Sequence, residues 1–185
     1  MWRRCSDLKG NEHGVHDEDE MKFACRPVGL DFIESAPLRF VNEVEINASP
    51  EEVFKVLADA ESWPRFLKDV IKAEWTSPEP HGVGSTRTLI LKGMTAQEHF
   101  IAWEPGKRFT FFVPEITAPL ARAICEDYRL EPAGRGKTRF TYVVACEPGL
   151  LLRLTGPFGR WLLGSMFRKV AHSLAAFLEE DGGRA

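Results

Sequence analysis

Residues 158–180, FGRWLLGSMFRKVAHSLAAFLEE, decide the fold that we predict for this chain. At about 100° per residue, the apolar side chains of this stretch fall on one side of an α-helix. They are Leu163, Met166, Phe167, Val170, Ala171, Leu174, Phe177 and Leu178. Such a helix is roughly 34 Å long at about 1.5 Å per residue, which is enough to cross a small sheet. The preceding residues must therefore provide an apolar surface that covers this stripe.

The residues before this helix have the pattern of an antiparallel sheet. Apolar and polar side chains alternate in residues 39–46, which is typical of a strand with one buried face. Six further strands are predicted at 70–75, 86–91, 95–103, 108–113, 124–131 and 138–146. The short connections favour a meandering antiparallel sheet. We therefore predict an α+β helix-grip, in which a curved sheet of seven strands surrounds the long C-terminal helix.

Two short helices are predicted after the first strand. Ser49 has the properties of an N-cap, Pro50 occupies the first helical position, and Glu52 closes a capping box. A second helical turn begins at Trp63, because Pro64 cannot continue the first helix.

Composition excludes several classes of function. With 185 residues, of which 44% are hydrophobic, the chain is long enough for one globular domain. A net charge of −3 gives no electrostatic case for nucleic acid. The four cysteines lack zinc-site spacing, and His13 and His16 lie in an acidic stretch that we interpret as solvated. We predict no metal and no cofactor, a cytoplasmic location, and a largely irregular or disordered leader over residues 1–37.

Five short motifs occur in a characteristic order. They are ASPEEVF at 48–54, WPRF at 63–66, GVGS at 82–85, WEPGKRF at 103–109 and TRFT at 138–141. Together they resemble the START-like (SRPBCC) superfamily in its bacterial polyketide cyclase/dehydrase branch. The resemblance implies a helix-grip ligand-binding domain over residues 38–181, with a cavity between sheet and helix for a small hydrophobic molecule, either lipid-like or polycyclic. Proteins of this shape include carriers and cyclases, so the resemblance leaves the function open.

The positions predicted to face the helix are rich in aromatic residues. The predicted ligand-binding set is Trp63, Phe66, Phe100, Phe111, Tyr128, Tyr142, Met166, Phe167, Val170 and Leu174. Large rings on a curved sheet either fill a core or line an apolar hollow with a few polar tips. Periodicity does not separate these two outcomes, because both bury the same face.

Catalytic motifs of the nucleophile-elbow, zinc-protease and phosphate-loop types are absent from the sequence. The candidates for acid–base chemistry are Glu98, Tyr128 and Tyr142. If Phe100 points inward then Glu98 does so too and His99 points outward, which is the arrangement that we favour. A carboxyl group buried against aromatic rings has a raised pKa and suits proton transfer, whereas a paired or exposed Glu98 does not.

We therefore expect a non-catalytic carrier or sensor of a small hydrophobic ligand. The alternatives are a polyketide-type cyclase/dehydratase that needs no cofactor, and a protein-interaction module whose core is filled by its own side chains.

One segment is not explained by a simple core. Leu150–Leu154 precede the long helix, and Trp161 lies off its predicted stripe, with Arg153, Arg160 and Arg168 around them. This composition suits transient contact with a membrane surface. It equally suits a homodimer contact or a lid over the cavity, and plain packing of the leucines is the remaining alternative. Otherwise we expect a monomer.

Overall fold

The computed structural model describes residues 21–182, so His13 and His16 lie outside the described residues. The strands are β1 (Phe23–Ala24), β2 (Leu38–Ile46), β3 (Val70–Trp75), β4 (Thr86–Leu91), β5 (Met94–Glu104), β6 (Arg108–Ile116), β7 (Ala121–Pro132) and β8 (Thr138–Pro148). They form one antiparallel sheet in the order β2-β8-β7-β6-β5-β4-β3, and β1 pairs with β6. This topology confirms the α+β helix-grip.

The helices are α1 (Phe32–Ser35), α2 (Pro50–Ala58), α3 (Trp63–Phe66), α4 (Leu150–Leu154) and α5 (Gly156–Gly182). The predicted capping box of α2 is present, because the Ser49 amide donates to Glu52 Oε2 at 2.7 Å and the Glu52 amide donates to Ser49 Oγ at 3.4 Å. Among residues 21–182, no helix is long and apolar enough to cross a membrane.

Helix α5 lies against the inner face of the sheet through its second half. Ala171, Leu174 and Leu178 are buried there. Met166, which the sequence placed in the buried stripe, is instead 52% exposed. It lies about 80° from the centre of the stripe at about 100° per residue, and the first half of α5 buries little of its surface.

Cross-strand register decides which side chains meet inside the sheet. Arg87 on β4 lies directly opposite Glu98 on β5. Tyr128 on β7 lies opposite Tyr142 on β8. Each pair therefore shares one face, and both pairs lie on the face that α5 covers.

Residues 21–37 pack against the outer face of the sheet. Val28, Phe32 and Ile33 form a second apolar cluster with side chains of β7 and β8. The proposed division of the chain at residue 37 stays a prediction.

Candidate functional site

The aromatic residues predicted to face the helix form a contiguous group on the inner face. The ring centroids of Tyr128 and Tyr142 are 4.6 Å apart, and those of Phe100 and Phe111 are 5.3 Å apart. Trp63 reaches this group from α3, since its ring lies 6.3 Å from that of Tyr128. The sheet and the short helix thus bring together five of the predicted ligand-binding residues.

Helix α5 contributes the remaining wall. The Phe167 ring lies 6.1 Å from that of Tyr142, Val170 packs half-buried against the core, and Leu174 is fully buried. Phe66 lies nearer the C-terminal end of α5, where its ring contacts those of Trp63 and Phe177. The exposed Met166 lies outside this group.

Packing is tight around the inner rings of the sheet and looser beside the first half of α5. Phe100, Phe111, Tyr128 and Tyr142 are at most 2% exposed, so these rings contact protein on all sides. Phe167, Val170, Asn42 and Glu126 are only half-buried. The interior is therefore least tightly covered beside Glu126 and Phe167.

A buried ion pair lies among the rings. Arg87 Nε donates to Glu98 Oε2 at 2.6 Å, and Arg87 Nη1 donates to the Leu57 carbonyl at 3.3 Å. The guanidinium carbon lies 4.3 Å from the centroid of the Trp63 ring. Burial raises the pKa of Glu98, and the adjacent guanidinium opposes that effect. Glu98 thus faces inward but has a cationic partner, while the His99 ring contacts that of Phe112 on the other face.

Glu126 is the second carboxyl group on the inner face. Its Oε2 accepts hydrogen bonds from the hydroxyl groups of Tyr128 at 2.7 Å and Tyr142 at 2.8 Å. The apolar surroundings raise the pKa of Glu126 to about 7, although both hydrogen bonds act to lower it. This carboxyl group can exchange a proton near neutral pH.

Two buried donors on the inner face have no acceptor among residues 21–182. They are Arg87 Nη2 and Asn42 Nδ2, and the second belongs to a residue directly opposite Tyr142 in the sheet. Buried N–H groups are almost always paired in folded proteins, because an unpaired one costs about 1–3 kcal/mol. These donors therefore point to an acceptor that the described residues do not supply.

Sequence reasoning missed Arg87, Asn42 and Glu126. Strand parity carried the signal for two of them, because Glu126 lies two residues before Tyr128 and Asn42 lies two residues after Phe40. Clusters of acidic, histidine and cysteine side chains suited to a metal ion are absent from the described part of the chain.

Comparisons with known proteins agree with this architecture. Residues 37–179 match the family described as polyketide cyclase/dehydrase and lipid transport. An uncharacterized protein of Mycobacterium tuberculosis (strain H37Rv) is 42% identical over 124 residues, which are 66% of this chain and 74% of that protein.

Solved structures show the same fold at low sequence identity. A START superfamily protein from Mycobacterium smegmatis superposes with a TM-score of 0.67 at 16% identity, covering 77% of this chain and 97% of that one. The Zhui aromatase/cyclase of a Streptomyces species superposes with a TM-score of 0.63 at 16% identity, covering 80% of this chain and 94% of that one.

Proposed function

Because the chain belongs to the polyketide cyclase/dehydrase and lipid transport family, we propose that it binds a small hydrophobic molecule bearing oxygen substituents between the sheet and α5. The observation that carries this proposal is the pair of unpaired donors, Arg87 Nη2 and Asn42 Nδ2, inside an aromatic interior. Carbonyl or hydroxyl oxygens on an apolar skeleton satisfy the donors, while the rings contact the skeleton.

The ligand enters at the loosely packed side, beside the first half of α5. Glu126 and Phe167 are half-buried there, and the first half of α5 makes few buried contacts that oppose its displacement. A carrier or sensor needs only a displacement of the first half of α5 and polar groups that orient the ligand.

Two matched probes test the proposal by NMR titration. 2-Naphthol carries one oxygen, and naphthalene has the same rings without it. We expect 2-naphthol to shift resonances of inner residues such as Tyr142 and to bind about tenfold more tightly than naphthalene. Native mass spectrometry of the purified protein should detect a co-purified small molecule.

The variant Asn42→Leu removes one unpaired donor. It should lower the affinity for 2-naphthol about fivefold and leave naphthalene unaffected, because only the oxygen loses a partner. Asn47→Leu, at an exposed asparagine that donates to Glu179, is the matched control.

Equal binding of both probes by all three proteins contradicts recognition of oxygen. The absence of any shift at inner residues, with no co-purified molecule, favours the filled-core interaction module.

A cyclase/dehydratase reaction is the second candidate, and Glu126 favours it. The sequence pointed to Glu98 as the proton-transfer group, but Glu98 is held by Arg87 at 2.6 Å. Glu126 has a pKa of about 7 and only neutral donors, so its carboxylate suits removal of a proton beside a ketone. A tyrosine hydroxyl then donates to the enolate oxygen instead of to Glu126.

Deuterium exchange into α-tetralone, followed by NMR, tests this chemistry. We expect the protein to accelerate exchange at the carbon beside the carbonyl, with a rate that increases as pH rises through about 7. Glu126→Gln should abolish the acceleration, and Glu131→Gln, an exposed residue on the same strand, should retain it. Exchange at the uncatalysed rate in the wild type contradicts the enzyme and leaves the carrier intact.

A further inference from the structure

Helix α4 and the first half of α5 expose a concentration of large apolar side chains. We call them the helix-start patch: Leu150, Leu151, Leu154, Phe158, Trp161 and Leu162. Met166 continues the same surface along α5. These seven are more than half of the twelve large apolar residues that are exposed within residues 21–182. Single exposed apolar residues are ordinary, but a concentration of this kind marks an interaction surface.

The aromatic residues of the patch contact each other and are largely exposed. Phe158, Trp161 and Leu162 are spaced three and four residues apart, so they share one side of α5. The rings of Phe158 and Trp161 are 6.1 Å apart, and both side chains are 68% exposed. A tryptophan beside leucines on an exposed helix is the composition of a surface that enters the headgroup region of a bilayer.

Within the segment that carries the patch, the charged side chains have one sign. Residues 148–178 contain no aspartate or glutamate, although the chain has 27 acidic residues and a net charge of −3. The same segment contains Arg153, Arg160, Arg168 and Lys169. Lys169 pairs with Asp69 at 3.1 Å, whereas the three arginines have no carboxylate partner among residues 21–182. The patch therefore combines an apolar surface with unpaired positive charge.

We propose that the helix-start patch docks on the surface of a bilayer that contains anionic phospholipid. Acyl chains cover Phe158 and Trp161, and lipid phosphates pair with the arginines. Beside the patch, a groove of about 470 Å³ is lined by Leu38, Leu152, Arg153 and Arg160, which gives a lipid headgroup room between two cations. A second copy of the chain fits less well, because a two-fold contact through this patch brings its unpaired arginines close to those of the partner.

Co-sedimentation of the full chain with vesicles tests the proposal. One set of vesicles contains phosphatidylcholine alone, and the other contains phosphatidylcholine with a minority of phosphatidylglycerol. We expect partitioning onto the anionic vesicles only, and a loss of binding when salt is raised, because exposed charges are screened. The proposal does not require the interior ligand, so binding to vesicles is independent of the naphthol titration.

Two variants separate the apolar and the charged contributions. The double variant Phe158→Ser, Trp161→Ser should lower partitioning at least about tenfold. The double variant Arg160→Gln, Arg168→Gln should lower partitioning about fivefold for each charge removed. The matched controls are Val41→Ser with Ile71→Ser, which are exposed apolar residues on the sheet, and Arg135→Gln in the turn before β8. Both controls should bind as the wild type does.

Sedimentation velocity without vesicles tests whether a second copy of the chain covers the patch instead of a bilayer. A wild-type dimer that becomes monomeric in the Phe158→Ser, Trp161→Ser variant, together with no vesicle binding, overturns the proposal in favour of a second copy. Partitioning that is equal on both kinds of vesicle, or unchanged in the patch variants, also overturns it.

Discussion

Glu126 and Asp127 are neighbours on strand β7, and their carboxyl groups experience opposite environments. Glu126 faces the interior, where it accepts hydrogen bonds from two tyrosines. Asp127 faces the other side, where it accepts from Arg108 at 2.8 Å, Arg129 at 2.6 Å and Thr110 at 2.6 Å. Both are removed from bulk water to a large extent. They differ in the charge of the donors around them.

The pKa of each carboxyl group reflects this difference. Burial raises the pKa of Glu126 to about 7, because neutral hydroxyl donors do not fully offset the loss of water. Burial also acts to raise the pKa of Asp127, but its hydrogen bonds to Arg108, Thr110 and Arg129 hold it below the usual range. A carboxylate with cationic donors serves stability, whereas one with neutral donors keeps a proton available for function.

The largest loss of stability is expected from a substitution of Glu98, the inner carboxyl group that is paired with a cation. Glu98→Gln leaves the guanidinium of Arg87 buried and without an anion, and an arginine does not release its proton to compensate. The free energy of unfolding, measured by urea denaturation, should fall by about 3–5 kcal/mol.

The double variant Arg87→Met, Glu98→Leu is the control for this result. It removes both charges, so it should recover most of the loss. A Glu98→Gln variant as stable as the wild type shows that the pair does not determine the stability of the inner face.

Glu126→Gln is expected to change how stability depends on pH. The folded pKa of about 7 exceeds the unfolded value of about 4.5, so the folded wild type binds a proton more tightly than the unfolded chain. The free energy of unfolding of the wild type should therefore fall as pH rises from about 4.5 to about 7. We expect a decrease of about 2–3 kcal/mol, because water that reaches this half-buried group weakens the effect. The variant should lack this slope when unfolding is measured near pH 5 and near pH 8. Identical slopes in the two proteins contradict a raised pKa.

Asp127→Asn is expected to cost less than Glu98→Gln, and its cost should disappear at acid pH. The variant should lose about 2 kcal/mol near neutral pH, because Arg108 and Arg129 are partly exposed and water can replace the lost carboxylate. Because the pKa of Asp127 is lowered, its carboxylate stabilises the wild type above about pH 4. This stabilisation is lost as pH falls through the pKa of Asp127 in the folded protein. Acid unfolding curves of the wild type, Asp127→Asn and the exposed control Glu131→Gln measure the difference. A control that loses as much as Asp127→Asn is inconsistent with a specific role for the arginines.

The smallest effect is expected at the tyrosines. Tyr128→Phe and Tyr142→Phe each remove one donor to Glu126, so each should cost about 1 kcal/mol at alkaline pH, where Glu126 is ionised. Each should also raise the pKa of Glu126 further, which carbon-detected NMR of the carboxyl group measures. An unchanged pKa in both variants shows that the hydroxyl groups do not hold the carboxylate.

Local signals in the sequence were sufficient for most of the fold. The capping box of Ser49 and Glu52 depends on residues three apart, and the alternation in β2 depends on residues two apart. The strand predicted at 108–113 was too short, since β6 continues through Pro114 to Ile116. The β6–β7 pairing ends at Phe112, so the missing N–H of Pro114 costs no bond to β7.

The candidate site needed information that one strand does not contain. The ion pair of Arg87 with Glu98 depends on the register between β4 and β5, which no spacing within either strand defines. The exposure of Met166 depends on how far the sheet extends beneath α5. Periodicity gives the direction of a side chain and not the surface that it meets.

The pairing of β2 with β8 also has a consequence for biosynthesis. Some ninety residues separate Ile46 from its partner Thr138, so the edge of β2 has no neighbour until β8 has left the ribosome. At the usual speed of translation this interval is roughly five to twenty seconds. During that time the nascent chain presents an unpaired strand edge to its surroundings, and chaperones acting on it have that interval in which to bind.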